Sequence, residues 1–238
     1  MDDFETLIKT RMPTATRPLL GQTVLVVEDS RFACEAMRLL CLRSGARIRR
    51  ADTLRSARKH LTVYRPSVVI IDVGLPDGSG LELLQEISHG TPRVDVILGT
   101  SGDSAMQSLV METGADDFLE KPMTNLAAFQ TLILKHLPPD QRPVGPRSIS
   151  DEDVVPDPIA FRDDMAHISD VLSEEHRADI LDYVTQFLDG VAISAQDHEL
   201  RLATRKLALS RENGEPLRSA IADLSAMVQQ RLDAKIAI

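Results

Sequence analysis

The fold of this chain is decided by the stretch Ser67-Val68-Val69-Ile70-Ile71-Asp72, an almost uninterrupted apolar run that ends in a carboxylate. Two glycines, Gly74 and Gly78, follow directly and indicate a turn. An apolar run of this kind is typical of a central strand in a parallel sheet, because such a strand is buried on both faces. A carboxylate at the end of a buried strand is costly unless something uses it. Asp72 is therefore the first candidate functional residue.

Short β-branched runs alternate with segments of helical periodicity on both sides of this strand. The predicted strands are 24–28, 46–50, 67–71, 94–99 and 116–119, and the predicted helices are 31–43, 54–64, 79–88, 104–113 and 124–136. Strands that alternate with helices form parallel sheets covered on both faces. The sequence therefore predicts an α/β fold with a five-stranded, doubly wound parallel sheet, followed by a small all-helical domain.

The flanking regions predict the domain organisation. Residues 1–21 are interpreted as a short N-terminal helix, over 3–12, and a tether. Residues 22–138 hold the α/β domain, and the proline-rich segment 139–158 is typical of an extended linker. Residues 159–238 predict an acidic helical output or dimerisation domain, with helices near 159–172, 174–192, 196–212 and 215–236.

The last predicted helix carries an apolar stripe close to heptad spacing. Its members are Leu217, Ile221, Leu224, Val228, Leu232 and Ile236. Because a helical core of this size is marginal on its own, we expect a core shared with a second copy, and so a homodimer.

The charge is unevenly distributed. Residues 151–238 hold nine basic and eighteen acidic residues, which accounts for the whole net charge of −9, and residues 1–150 are neutral overall. This acidic region shows no basic recognition helix and no helix-turn-helix spacing, so the sequence predicts against DNA binding. No apolar run approaches the roughly 18 residues of a membrane span, and the acidic start lacks a signal sequence. We expect a cytoplasmic protein with no membrane partner.

Three carboxylates are predicted to meet at one edge of the sheet. Glu28 and Asp29 follow the first strand, Asp72 ends the third, and ligands of parallel sheets bind outside the carboxyl ends of the strands. Clustered carboxylates repel one another unless a cation neutralises them, and oxygen ligands suit Mg²⁺. A bound metal would also allow Asp72 to attack phosphorus and form an aspartyl phosphate.

Two further side chains follow neighbouring strands. Thr100 follows the fourth predicted strand, and Lys121 follows the fifth. Their hydroxyl and ammonium groups can each contact a phosphoryl oxygen. The Lys121-Pro122 bond is a candidate cis peptide, because a sharp turn there would aim the lysine inward.

Together these motifs resemble the receiver domain of bacterial two-component response regulators. The matching segments are VLVVEDS (24–30), IDVGLPDGSG (71–80), Thr100-Ser101 and GADDFLEKP (114–122). The resemblance covers about 22–138 and implies a flavodoxin-like fold. It also implies that Asp72 accepts a phosphoryl group from a sensor histidine kinase or a phosphotransfer protein.

The resemblance also implies roles for the other residues of the site. Mg²⁺ would be held by Asp29 and Asp72, with Glu28 acting through water and the carbonyl of Gly74 as a further ligand. Lys121 would bind the phosphoryl oxygen. Thr100 and Phe118 would form the switch pair, although the spacing leaves Ser101 as an alternative to Thr100.

Glycines stand two residues after Asp72 and two after Thr100, at Gly74 and Gly102. Side chains at these positions often screen the acyl phosphate from water in the receiver family, so we expect little side-chain shielding here.

Several outputs remain open. The first is a response regulator, not an enzyme beyond intrinsic autophosphatase activity, that signals through an unknown protein partner of its helical domain. The alternatives are a transcriptional regulator with an atypical C-terminal domain and a receiver fused to a degenerate phosphotransfer-like domain. His198 faintly resembles a phosphotransfer histidine, but the residues after it depart from that pattern, and a surface histidine is the simpler interpretation.

Overall fold

The computed structural model describes residues 12–145, 150–174 and 178–234. The N-terminal helix predicted over 3–12 lies almost wholly outside these residues, and so does Ile236 of the apolar stripe.

Five parallel strands form the sheet, as the sequence predicts. They are β1 (Thr23–Val27), β2 (Arg47–Ala51), β3 (Val68–Asp72), β4 (Val96–Ser101) and β5 (Asp117–Glu120). Their order across the sheet is β2-β1-β3-β4-β5, which places β3 at the centre. A short antiparallel hairpin of Gly74–Leu75 and Gly78–Ser79 follows β3.

Helices cover both faces of this sheet. They are α1 (Arg31–Ser44), α2 (Leu54–Val63), α3 (Gly80–Ser88), α4 (Met106–Glu112) and α5 (Leu126–His136). Alternate residues of the strands face opposite sides: Ile70 belongs to one core cluster with Phe129 of α5, and Ile71 belongs to the other with Val110 of α4. The doubly wound α/β fold predicted from the sequence is therefore confirmed.

The turn after β3 is built closely against the end of that strand. A Cβ atom on Gly80 would lie 1.9 Å from the carbonyl oxygen of Asp72, so only glycine fits there. On the neighbouring strand, Ser30 is the N-cap of α1, and its hydroxyl accepts a hydrogen bond from the Ala33 amide at 3.0 Å. These two turns hold Asp72 and the Glu28-Asp29 pair at the same edge of the sheet.

Four further helices form a bundle after the α/β domain. They are α6 (Pro158–Glu174), α7 (Ala178–Ser194), α8 (His198–Glu212) and α9 (Arg218–Asp233). The described stripe residues of α9 pack within this single chain, where Ile221, Leu224 and Val228 share a core with residues of the other three helices. The described part of the stripe is therefore buried within one chain, and the homodimer stays a prediction.

The segment before α6 is attached to the α/β domain. Val154 is 2% exposed and belongs to the core cluster on the α1 and α5 face. Its amide donates to the Thr124 carbonyl at 2.9 Å, and the Leu126 amide donates to the Glu152 carbonyl at 2.9 Å. The end of the proline-rich segment is thus bound to the α/β domain and is not a free tether.

Within the described residues, no helix combines the length and the apolar character that crossing a membrane requires.

Candidate functional site

The three predicted carboxylates meet at the carboxyl edge of the sheet. Each of Glu28, Asp29 and Asp72 offers an oxygen, and these oxygens all lie within 4.8 Å of one another. Glu28 is 2% exposed and Asp72 is 9% exposed. The adjacency follows from the sheet order, because β1 and β3 are hydrogen-bonded neighbours.

Burial and mutual repulsion make these carboxylates hard to ionise. Burial raises the pKa of Asp29 to about 8, and the charges of Glu28 and Asp72 add to this effect. Burial also raises the pKa of Asp72 to about 7, although the nearby Lys121 opposes the increase. A second positive charge at this edge would therefore stabilise the ionised cluster.

Lys121 already supplies one positive charge. Its Nζ atom lies 2.6 Å from Glu28 Oε2 and 3.2 Å from Asp72 Oδ1, and the residue is 6% exposed. Burial alone would lower the pKa of Lys121, but the charges of Asp72 and Glu28 outweigh burial and raise it. The Lys121-Pro122 bond is cis, as the sequence predicts.

The carboxylate cluster fits a divalent cation. Asp29 Oδ2 is buried and has no hydrogen-bond partner, which is costly for a carboxylate oxygen. Three clustered carboxylates offer oxygen ligands only, and such ligands suit Mg²⁺. Gly74, the expected source of a carbonyl ligand, lines a cavity of about 230 Å³ together with Asp72.

The two candidate switch hydroxyls have different surroundings. Thr100 pairs with Asp72 between β3 and β4, but it is 1% exposed and its hydroxyl donates to the Leu119 carbonyl at 2.6 Å. Ser101 instead lines the cavity that holds Asp72 and Lys121. Phe118 is 9% exposed and belongs to the core cluster on the α4 face.

Helix α7 contributes residues to the site that the sequence did not suggest. Gln186, Asp189 and Gly190 line the same cavity as Asp72 and Lys121. Tyr183 lines a cavity together with Asp29, and its hydroxyl acts to lower the pKa of Asp29, against the effect of burial. The hydroxyl also lies 3.0 Å from the Nε2 atom of His167 on α6. His198 lies elsewhere in the bundle, at the start of α8, and is exposed.

Helix α6 contacts the edge beside the site. Asp164 is 2% exposed and accepts hydrogen bonds from the Ser30 hydroxyl at 2.7 Å, the Arg31 amide at 2.8 Å and the Phe32 amide at 3.1 Å. An acidic side chain is favourable at a helix N-terminus, here that of α1. No local sequence pattern indicates these contacts, because more than a hundred residues separate the partners.

The glycines at positions 74 and 102 led us to expect that few side chains would shield the acceptor Asp72 from water, and the structure corrects this expectation. A Cβ atom on Gly74 would lie 2.2 Å from Nε2 of Gln186, and one on Gly102 would lie 2.4 Å from Cδ1 of Ile193. The space that the two glycines leave is therefore filled by side chains of α7.

Residues 24–133 match the family model of the response regulator receiver domain. This part of the chain belongs to the receiver domain family, as its motifs predict, and the helical region follows it. The receiver domain is a signalling module of two-component systems.

The chain is similar to several curated proteins. It is 29% identical over 99 residues to the KDP operon transcriptional regulatory protein KdpE of Escherichia coli K12, a match that covers 42% of this chain and 44% of KdpE. For the virulence transcriptional regulatory protein PhoP of Shigella flexneri the identity is 28%, with 58% of this chain and 68% of that protein covered. PhoP of Salmonella typhimurium strain 14028s is 31% identical over 42% of this chain and 45% of its own length. Two of these matches thus span less than half of the relative.

Solved receiver domains also align with the chain. One is the CheY-like receiver domain from Methylobacillus flagellatus, with 25% identity and a TM-score of 0.44 over 48% of this chain and 97% of that one. Another is the receiver domain of a histidine kinase from Syntrophus aciditrophicus, with 24% identity and a TM-score of 0.44 over 49% of this chain and 89% of that one.

The prediction against DNA binding is contradicted by these relatives, which are named as transcriptional regulatory proteins. That prediction rested on the acidic charge of residues 151–238 and on the absence of a basic recognition helix and of helix-turn-helix spacing there. None of these features describes the surface of the α/β domain. Arg47, Arg49 and Arg50 are exposed on β2, an edge strand of the sheet.

The raised pKa of Asp29 predicts how stability depends on pH without divalent cations. The folded protein keeps a proton on Asp29 up to about pH 8, whereas an unfolded Asp loses it near about pH 3.9. The folded state therefore binds more protons between these values, and the free energy of unfolding falls as the pH rises. Asp29→Asn removes this loss, so in EDTA we expect it to stabilise the protein by an amount that grows from about pH 5 to about pH 8.

Urea denaturation at several pH values measures this difference. The exposed Asp140→Asn serves as the control substitution. A gain for Asp29→Asn that stays constant with pH would contradict the expectation.

Proposed function

We propose that the chain is a response regulator that accepts a phosphoryl group on Asp72 from a sensor histidine kinase or a phosphotransfer protein, and that signals through protein–protein contacts of its helical region. The observation that carries this proposal is the convergence of Glu28, Asp29, Asp72 and Lys121 at one buried edge. The family match over residues 24–133 supports it.

The transfer step follows from this geometry. The carboxylate of Asp72 attacks phosphorus, the bond between phosphorus and the donor nitrogen breaks, and the donor histidine is released with its electron pair. Lys121 already lies 3.2 Å from Asp72, so its ammonium can bind a phosphoryl oxygen. Asp29 and Asp72, with Glu28 through water and the Gly74 carbonyl, would hold Mg²⁺, which neutralises charge on the transferred group.

We propose Ser101 rather than Thr100 as the hydroxyl that contacts the phosphoryl group. Ser101 lines the cavity around Asp72, and its hydroxyl accepts a hydrogen bond from the Asp103 amide at 3.2 Å, which leaves its proton to donate. The Thr100 hydroxyl instead donates its proton to the Leu119 carbonyl. Phe118 would be the aromatic partner of this switch, and its burial in the core on the α4 face would couple the site to that surface. At most, intrinsic hydrolysis of the aspartyl phosphate would be catalysed by the chain itself.

Asp72→Asn should abolish phosphorylation. Incubation with phosphoramidate and Mg²⁺ should add one phosphoryl group to the wild-type chain and none to the variant, because an amide cannot form the acyl phosphate. Intact-protein mass spectrometry measures the product. Asp103→Asn is a matched control, since Asp103 lines the same cavity. Full labelling of Asp72→Asn would refute the proposed acceptor.

Substitutions can distinguish the role of the Ser101 hydroxyl from that of the Thr100 hydroxyl. We expect Ser101→Ala to slow phosphorylation of Asp72 several-fold with little change in stability. Thr100→Val should lower the free energy of unfolding by about 1 kcal/mol through the lost hydrogen bond to Leu119, and should leave the phosphorylation rate nearly unchanged. Labelling time courses and urea denaturation provide the two measurements. The opposite pattern would restore Thr100 as the switch hydroxyl.

Transcriptional regulation is the second candidate function. The named roles of KdpE and PhoP favour it, and the exposed arginines of β2 offer positive charge on one edge of the sheet. Contacts between arginine and phosphate make binding strongly dependent on salt.

A DNA-binding assay tests this candidate. If it is correct, the phosphorylated chain should retard duplex DNA, and the affinity should fall steeply as salt increases. The triple variant Arg47→Gln/Arg49→Gln/Arg50→Gln should reduce both the affinity and its salt dependence. Binding that does not change in this variant would exclude β2 as the contact surface.

A further inference from the structure

One face of α7 lies against the acid site. Tyr183 lines a cavity together with Asp29, Gln186 lies beside Gly74, and the Gly190 position faces Lys121. Together with Ile193, these residues recur at intervals of three and four, which places them along one side of the helix. The acceptor site is therefore covered by one whole face of α7, and not by a single side chain of that helix.

The receiver surface is shaped to take this face. Gln186 and Ile193 fill the space that a side chain would occupy at Gly74 and at Gly102, with separations of 2.2 Å and 2.4 Å from ideal Cβ positions. A larger residue at either position would force the Gln186 or the Ile193 side chain to move. The two glycines and the face of α7 are therefore complementary in shape.

Helix α6 provides a second attachment beside the first. Asp164 accepts three hydrogen bonds at the start of α1, and Asp163 forms an ion pair with Arg31 at 2.7 Å. The rings of Phe32 and Phe161 pack edge to face with centroids 5.7 Å apart. These contacts hold the helical bundle over the edge of the sheet that carries Asp72.

This arrangement obstructs access to the acceptor. Asp72 is 9% exposed, and Gln186, Asp189 and Gly190 form part of the wall of its cavity. A phosphoryl donor must approach the Asp72 oxygen in line with the bond that breaks, so a donor protein needs the space where α7 lies.

We infer that α7 is a lid on the acceptor site, so that phosphorylation of Asp72 and docking of α7 exclude each other. The inference rests on the proposed function of Asp72. By linkage, whatever holds α7 in place weakens phosphorylation, and phosphorylation releases the helical bundle by the same factor.

A reversible disulfide can test the lid in the full chain. The ideal Cβ position of Gly102 lies 3.5 Å from Cβ of Ile193, within the range of a disulfide, about 3.5–4.5 Å. The variant Gly102→Cys/Ile193→Cys should therefore be locked when oxidised and free when reduced. The native Cys34 and Cys41 are both buried and should not compete. Gly102→Ser/Ile193→Ser is the matched control without a bond.

Two probes report on the acceptor: the affinity for beryllofluoride with Mg²⁺ and the rate of labelling by phosphoramidate. We expect the oxidised variant to bind beryllofluoride at least about ten-fold more weakly than the reduced variant, which corresponds to a coupling of about 1.4 kcal/mol. Labelling should slow similarly, and the serine control should not respond to oxidation.

The outcomes separate the two proposals. Equal or tighter binding by the oxidised variant, with normal binding when reduced, would overturn the lid and leave the role of Asp72 intact. A wild-type chain that neither binds beryllofluoride nor becomes labelled would overturn both.

The variant Asp164→Ala tests the lid by weakening the docked state, because it removes three hydrogen bonds that hold α6. It should speed labelling several-fold, and an unchanged rate in a folded variant would also overturn the lid.

Discussion

The buried contact between the Lys121 ammonium and the carboxylates of Glu28 and Asp72 is the constraint on which the rest of the site depends. Without it, three acidic groups would meet in a place that water barely reaches. A buried charge that loses its partner is strongly destabilising, whereas the intact cluster fixes the ends of three strands relative to one another. The same ammonium leaves the cluster with excess negative charge, and so the site is both stable enough to fold and ready to bind a cation.

Polar groups at this edge of the sheet also explain why the helical bundle can pack against the edge that carries Asp72. The edge of the sheet places the carboxylate of Asp29 on the same cavity as Tyr183, and the amides at the start of α1 donate hydrogen bonds to Asp164. Both features use polar groups that would otherwise face water at an open site. The bundle keeps its own apolar core. It meets the receiver through polar contacts and also through apolar ones, such as Phe161 against Phe32 and Ile193 against Gly102.

The sheet could be predicted from the sequence because its signals are local. Apolar runs such as 67–71, glycines after helices and a capping serine each depend on near neighbours. The carboxylate cluster could also be predicted, since parallel strands bring their carboxyl ends together whatever the loops do. The contribution of α7 could not, because Gln186 and Gly74 are distant in the chain and each is unremarkable in its own segment. Spacing in the sequence left both Thr100 and Ser101 open as the switch hydroxyl. Their surroundings differ only in the folded chain, where Thr100 is buried and donates to Leu119 while Ser101 lines the cavity of Asp72.

The attachment of Val154 to the receiver core has a mechanical consequence. Because this residue is buried and its amide is bonded to Thr124, the helical bundle pivots from a point four residues before α6 rather than from the end of α5. An extended chain gains at most about 3.6 Å per residue, so the tether beyond Val154 reaches only about 14 Å. A bundle released from the acid site would therefore remain at a high local concentration next to it. Its return to the acid site would be an intramolecular, first-order step, with a rate that does not depend on protein concentration.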